Sequence, residues 1–270
     1  MKKKSSLMQS IAAAPHIFWA VLFIILPLII VLYYAFTDAN GSFSFSNITS
    51  LVDYAPIFGL SLELAIIATA ICLVIGYPLA YFIARAKPKT QKIVVMLLML
   101  PMWTNLLIRT YSIMAILDDG GFLNSLLNTS FHIVGTKGAV IFGMVYDFLP
   151  YMVLPIFTTM TKLDRRYIEA SADLGCNSFQ TMTKVVFPLT VSGIVSGITM
   201  VFVPSISTFY ISQKLGAGKI DLVGDTIERL FQNPSTYNVG AAISLIMMIL
   251  IIVSVGIMNK FSDKDGGIIV

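Results

Sequence analysis

Residues 64–84 read LAIIATAICLVIGYPLAYFIA, a run without a single charged side chain. As a helix rising about 1.5 Å per residue, such a run spans about 30 Å, the thickness of a bilayer's hydrocarbon core. A soluble helix buries one stripe and solvates the rest. This segment has no polar face to solvate, so it reads as a membrane-spanning helix. Five further windows of similar character flank it: His16 to Phe36, Ile93 to Leu117, Gly138 to Met160, Leu189 to Ser212 and Asn238 to Met258. Together they take about half the chain and leave no segment of about 100 residues for a soluble domain. The expectation is an all-α integral membrane protein with six transmembrane helices, forming one transmembrane domain over residues 1–270.

Composition agrees. Of 270 residues, 57% are hydrophobic and only 12% charged, with a mean hydropathy of +0.85. Soluble domains carry about 25% charged residues. That shortfall argues against a soluble enzyme, a disordered chain or a nucleic-acid binder. The formal charge of +4 comes from 18 Lys and Arg against 14 Asp and Glu. Basic residues concentrate in cytoplasmic loops of membrane proteins, so their placement gives an orientation. With the N-terminus inside, Lys2, Lys3, Lys4, Arg85, Lys87, Lys89, Lys92, Lys162, Arg165, Arg166, Lys184, Lys260 and Lys264 are cytoplasmic, whereas Arg109, Lys137, Lys214, Lys219 and Arg229 are not. Both termini are therefore expected in the cytoplasm. The first span has a basic leader like a signal peptide, but its apolar run is long and no small-x-small cleavage site follows, so it reads as an uncleaved helix.

The chain carries little chemistry of its own. Two cysteines, Cys72 and Cys176, make neither a disulfide framework nor a metal site, and the only histidines are His16 and His132. The run Gly216-Ala217-Gly218-Lys219 resembles a phosphate loop, but Gln213 stands at the first glycine position and Ile220 follows the lysine. No catalytic residue and no metal site is expected.

Polar residues within spans are different, because a buried charge in a bilayer marks function by default. Asp147 sits mid-span, facing a cavity or path, or else protonated or bonded to a neighbouring helix. Trp103 and Tyr146 could stack on a cation. Glu63, at the outer mouth of the second window, either attracts cations or is a solvated helix-end charge. Arg109 reads as snorkelling to the outer interface. Pro101, Pro150, Pro155 and Pro204 interrupt helical hydrogen bonding, as bending points or static kinks. Gly193-x-x-x-Gly197 permits close helix packing, with a second subunit as the expected partner. Between the last two spans, residues Asp221 to Gln232 read as a short surface helix capped by Asp225, with Glu228 completing the box.

The segment 162–184 is too well formed to be a linker. Asp164 can cap a helix from Arg165 to Leu174, Gly175 can stop it, and Asn177 with Gln180 can cap a second. Glu169 and Asp173 share a face, as do Arg165 and Glu169, while Ala170, Ser171 and Ala172 are small enough for close approach by another protein. The segment lacks the lysines and large apolar residues of a helix resting on lipid, so it reads as a protein-docking bracket.

The run Glu169-Ala170-Ser171-Ala172-Asp173-Leu174-Gly175, followed by Phe187-Pro188-Leu189 and Gly193-Ile194, resembles the "EAA" coupling loop of ABC-importer permeases. Ser171 replaces the second alanine, Cys176 a common alanine, and Ser192 a usual proline. Gly76-Tyr77-Pro78-Leu79-Ala80, Pro101-x-Trp103-Thr104-Asn105-x-x-Ile108-Arg109 and Tyr146-x-x-Leu149-Pro150-x-Met152-Val153 resemble the polyamine branch, so that the whole chain looks like the B-type permease subunit of a bacterial spermidine/putrescine importer. The resemblance implies a type I ABC importer permease fold in the bacterial cytoplasmic membrane, non-catalytic, with residues 162–188 as the coupling loop and Glu169, Ala170, Asp173, Gly175 and Pro188 facing an ATPase. It further implies as partners a second, C-type permease, an ATP-binding subunit dimer carrying the ATP and Mg, and an extracytoplasmic polyamine-binding protein, with no nucleic acid and no cofactor on this chain. Another small solute as cargo, or a stand-alone secondary transporter or channel, are the alternatives.

Overall fold

A computed structural model of the chain describes residues 14–38, 41–129 and 131–265, with the backbone alone for Leu127, Arg165 and residues 261–265. Lys2, Lys3 and Lys4 lie outside the described residues. The described chain is helical, and its sole β feature is a bridge between Thr37 and Phe43. It divides into two compact units, one of residues 1–55 with 226–249 and one of residues 56–225 with 250–270.

In the first unit, α1 (Ala14–Ala35) contains a π-helical stretch, Val21–Ile25, and faces outward along its length, with Phe18, Phe23 and Ile29 all exposed. Lipid is as apolar as these side chains, so their exposure costs nothing in a bilayer. The chain just beyond its end is held by two asparagine side chains. Asn47 Nδ2 donates to Thr37 O at 2.8 Å, and Asn238 Nδ2 donates to Thr37 O and to Asp38 O.

The second unit is organised around α5 (Lys137–Thr161), which follows α2 (Ala55–Arg85), α3 (Pro88–Met99) and α4 (Leu106–Leu117). Met144, Met152, Val153 and Ile156 of α5 are wholly buried. After α5 come α6 (Arg165–Asp173), α7 (Ser178–Leu189), α8 (Val191–Ser207) and α9 (Tyr210–Leu215). Then follow α10 (Val223–Phe231) and α11 (Tyr237–Asp265). Without a hydrophobic drive between helices in lipid, close packing must hold α8 to α5, and small residues make it possible. A Cβ on Gly193 would lie 2.5 Å from Thr159 Oγ1 and 3.0 Å from Pro155 O; one on Gly197 would lie 2.8 Å from Met152 Sδ. The Gly193-x-x-x-Gly197 pair is thus used inside this chain, correcting the expectation of a second subunit as its partner.

Among the described residues, four helices are long and apolar enough to cross a membrane, or six if each of two bent pairs counts as one span. The first bend falls inside a window that hydropathy reads as single, and the second lies where the expected coupling loop meets the fifth window. Pro88–Trp103 and Leu106–Leu126 meet at 92°, and Ser178–Leu189 meets Val191–Ser207 at 72°. Pro101 opens the 3-10 turn at the first break, whereas Pro150, Pro155 and Pro204 lie inside continuous helices. The fifth window's last residues are a separate helix, α9. The second helix begins at Ala55, so Glu63 stands well within α2 rather than at its end.

The expected surface helix also differs. It starts at Val223, which makes Asp225 the third helical residue. Asp225 Oδ2 accepts from Leu222 N–H at 3.0 Å, and Ser61 Oγ accepts from Val223 N–H at 2.8 Å. Residues Leu222 to Thr226 are buried, with Gly224 against the carbonyls of Ser207 and Thr208.

Candidate functional site

Two places concentrate polar side chains in the second unit. The first is the bracket of α6 and α7. Asp164 Oδ1 accepts from Arg166 N–H at 3.0 Å and starts α6. The helix ends in a Schellman turn: Gly175 N–H donates to Ala172 O at 2.9 Å and Cys176 N–H to Ser171 O at 3.0 Å, with Gly175 at φ +81°. A reciprocal box then opens α7, Asn177 Oδ1 accepting from Gln180 N–H at 2.8 Å and Gln180 Oε1 from Asn177 N–H at 3.0 Å. Across the turn, Ser171 Oγ and Thr181 Oγ1 lie 2.9 Å apart, both buried. Serine in place of the usual alanine therefore adds a tie between the two helices.

Glu169, Ala170, Asp173, Gly175 and Pro188 are all exposed. In the same bracket Leu174 is 85% exposed and Phe179 70% exposed, two large apolar side chains that sequence reading overlooked. Leu174 is visible in the sequence as the residue before the stop glycine. Glu169 also lines a cavity of about 530 Å³ with Tyr81, Arg85, Gln91, Met160 and Val186. Arg85 stacks on Tyr81 at 4.4 Å, and Gln91 Nε2 donates to the carbonyls of Ala84 and Ala86, closing the end of α2.

The bracket joins the spans at Thr190, where α7 meets α8. Thr190 is fully buried; its hydroxyl donates to Val186 O at 2.8 Å and lies 3.2 Å from the Tyr77 hydroxyl of α2. The Tyr77 and Phe187 rings are 5.6 Å apart. Tyr77 belongs to the Gly76-Tyr77-Pro78 run, and a Cβ on Gly76 would lie 3.0 Å from Met152 of α5.

The second place lies between α4 and α5. Thr104 N–H and Oγ1 both donate to Pro101 O, ending the 3-10 turn, and Asn105 Oδ1 accepts from Leu107 N–H at 2.8 Å to restart the helix. Arg109 follows one turn on. Its Nη1 is 3.0 Å from Asp147 Oδ1, with the side chains 13% and 1% exposed. The snorkelling expectation for Arg109 is therefore replaced by a buried ion pair, which a separation of 38 positions hides from local reading. Arg109 and Tyr146 line a cavity of about 560 Å³ with Ile108, Ile116 and Phe142. Trp103 is 75% exposed at the break and is not a wall of this cavity. Glu63 stands elsewhere: both its oxygens lie 3.0 Å from Lys137 Nζ, half exposed. Lys214 sits over the rings of Tyr111 and Tyr210, at 5.1 and 5.7 Å, and the Tyr111 hydroxyl beside it holds its ammonium above the usual lysine range.

Residues 76–265 match the family described as "Binding-protein-dependent transport system inner membrane component". The chain belongs to this family. Among relatives, this transport component is 36% identical over 264 residues to the "Spermidine/putrescine transport system permease protein PotB" of Haemophilus influenzae, covering 93% of this chain and 92% of that protein. It is 37% identical over 246 residues to the protein of the same name from Escherichia coli, covering 86% and 90%. In fold, the component resembles a chain of a bacterial ABC transporter involved in the import of the acidic polysaccharide alginate, with a TM-score of 0.82 at 16% identity over 97% of this chain and 96% of that one. It also resembles, less closely, a chain of the MetNI methionine ABC transporter in inward-facing form, with a TM-score of 0.54 at 17% identity over 77% and 92%. The break at Pro101, the bracket and the Thr190 joint all lie within the matched residues.

Proposed function

We propose that this chain is the B-type permease subunit of an ATP-driven importer of spermidine and putrescine in the bacterial cytoplasmic membrane, crossing it six times with both termini inside. The identity to spermidine/putrescine permeases across most of both chains carries the reading. The charge asymmetry supports the orientation. With Arg109 buried, only Lys137, Lys214, Lys219 and Arg229 remain opposite the thirteen cytoplasmic basic residues. The partners are a C-type permease, two copies of an ATPase that carry the ATP and Mg, and an extracytoplasmic polyamine-binding protein.

Coupling follows from the bracket. ATP can drive a conformational change only by binding one state of the ATPase dimer more tightly than the other. The exposed side chains of Leu174 and Phe179 seat in an ATPase groove, and Glu169 and Asp173 make charge-assisted contacts at its rim. The two caps, the Schellman turn and the Ser171–Thr181 tie keep the bracket one body. Its movement reaches the spans through α7, Thr190 and Tyr77.

The test is uptake of radiolabelled spermidine and putrescine into proteoliposomes holding all subunits, with ATP hydrolysis measured alongside. Glu169→Lys should leave the chain in the membrane while abolishing uptake and the stimulation of ATPase activity by loaded binding protein. Wild-type uptake persisting in this variant would remove the coupling role.

A further inference from the structure

The geometry points to Arg109 as a tethered stand-in for the cargo cation: it occupies Asp147 while the site is empty, and an alkylammonium end of the cargo displaces it. This rests on the polyamine reading above and adds to it a resident competitor.

Three observations carry the assignment. First, the pair is poorly satisfied for its burial. Arginine and carboxylate normally meet through two parallel hydrogen bonds. Here the approach is a single one, Nη1 to Oδ1 at 3.0 Å, and neither carboxylate oxygen accepts a well-directed hydrogen bond, nor does Arg109 Nε donate one. Desolvating two charges for one such contact is unfavourable compared with an apolar pair of the same size, so structure alone gives little reason for it. Secondly, Arg109 is a wall of the cavity of about 560 Å³ and Asp147 is not. The arginine borders the open space, and the carboxylate it pairs with is 1% exposed. Thirdly, the other walls suit a polymethylene chain ending in an ammonium. Ile108, Ile116 and Phe142 offer apolar surface, and Tyr146, next to Asp147 in sequence, offers an aromatic face to the charge.

At Asp147 one cationic group replaces another, so the buried carboxylate is never left bare, a state that costs several kcal/mol. The displaced guanidinium, already a wall of the cavity, turns into the open space, where water solvates it. Its flexible stem lets it leave without leaving the protein.

The experiment uses the complete transporter in proteoliposomes, with spermidine and putrescine as probes, comparing wild type, Asp147→Asn, Arg109→Lys and the double variant Arg109→Gln/Asp147→Asn. Assembly is followed by size-exclusion chromatography. A purely structural pair predicts that the double variant, which removes both charges, regains assembly and uptake together. The exchange predicts that the double variant assembles yet transports about tenfold to a hundredfold more slowly, the loss of one charged contact to cargo. Asp147→Asn should show the same deficit, and Arg109→Lys should keep uptake with an altered KM. Wild-type uptake by the double variant overturns the exchange, as does failure of both Asp147 variants to assemble. Absence of polyamine uptake by the wild type would instead overturn the functional reading.

Discussion

Replacing Gly175 separates backbone strain from steric clash at the bracket. Its φ is +81°, and a Cβ built there meets nothing within 4 Å. Any penalty therefore comes from the left-handed backbone alone, about 1–2 kcal/mol for an ordinary L-residue. Asparagine tolerates that conformation, and a β-branched residue tolerates it least. A shift of 1–2 kcal/mol changes the ratio of intact to opened turn by about five- to thirtyfold. The expected order of coupling is Gly and Asn highest, Ala lower and Val lowest, with equal amounts of each variant in the membrane. The assay is polyamine taken up per ATP hydrolysed in proteoliposomes, normalised to permease content. A Val variant that couples as well as the wild type, or an Asn variant worse than Ala, would refute the backbone argument. A parallel fall in membrane content would make the effect one of folding.

Two further substitutions test the packing and the joint. Gly193→Ala should destabilise the chain in detergent by about 1–3 kcal/mol, because its methyl meets Thr159 and the Pro155 carbonyl. Gly59→Ala, in open space on α2, should be neutral or stabilising by up to about 1 kcal/mol; thermal melts should fall for the first variant and not for the second. Tyr77→Phe removes the hydroxyl near Thr190 but keeps the ring on Phe187, at about 0.5–1.5 kcal/mol. It should lower uptake per ATP without lowering membrane content. Added to Thr190→Val, which also removes the bond to Val186 O, it should cost less than it does alone, since the two share one contact.

Local chemistry was legible in the sequence where it is locally determined. Asp164, Gly175, Asn177 and Gln180 each act within a few residues of their own backbone, so the outline of the bracket could be read from them. Hydropathy located the spans because lipid contact depends on composition. It misplaced the start of α2, since Pro56, Gly59, Ser61 and Glu63 lower the apolar average without ending a helix. It also merged α3 with α4 and α8 with the start of α9, because a break does not alter composition. What depends on distant partners was not legible. Asp225 looks like a helix cap until Val223 is seen to be held by Ser61, 162 positions before it. Arg109 looks interfacial until Asp147 is beside it, and Gly193 invites an external partner until Thr159 fills the space.

The bend at Thr190 sets a mechanical ratio. α7 runs from Ser178 to Leu189 through a π-helical stretch at Met182–Val186, about 18 Å at helical rise, and leaves α8 at 72°. It is an arm with its fulcrum buried beside Tyr77 and its free end in the bracket. A rotation of only about 10° at that fulcrum sweeps the far end through about 3 Å, given that arm length. Run in reverse, a movement of a few ångströms imposed on the bracket arrives at the spans as a small turn with increased force. The length of α7 is therefore a gearing parameter, and adding or removing a helical turn would change how far the spans move for each stroke.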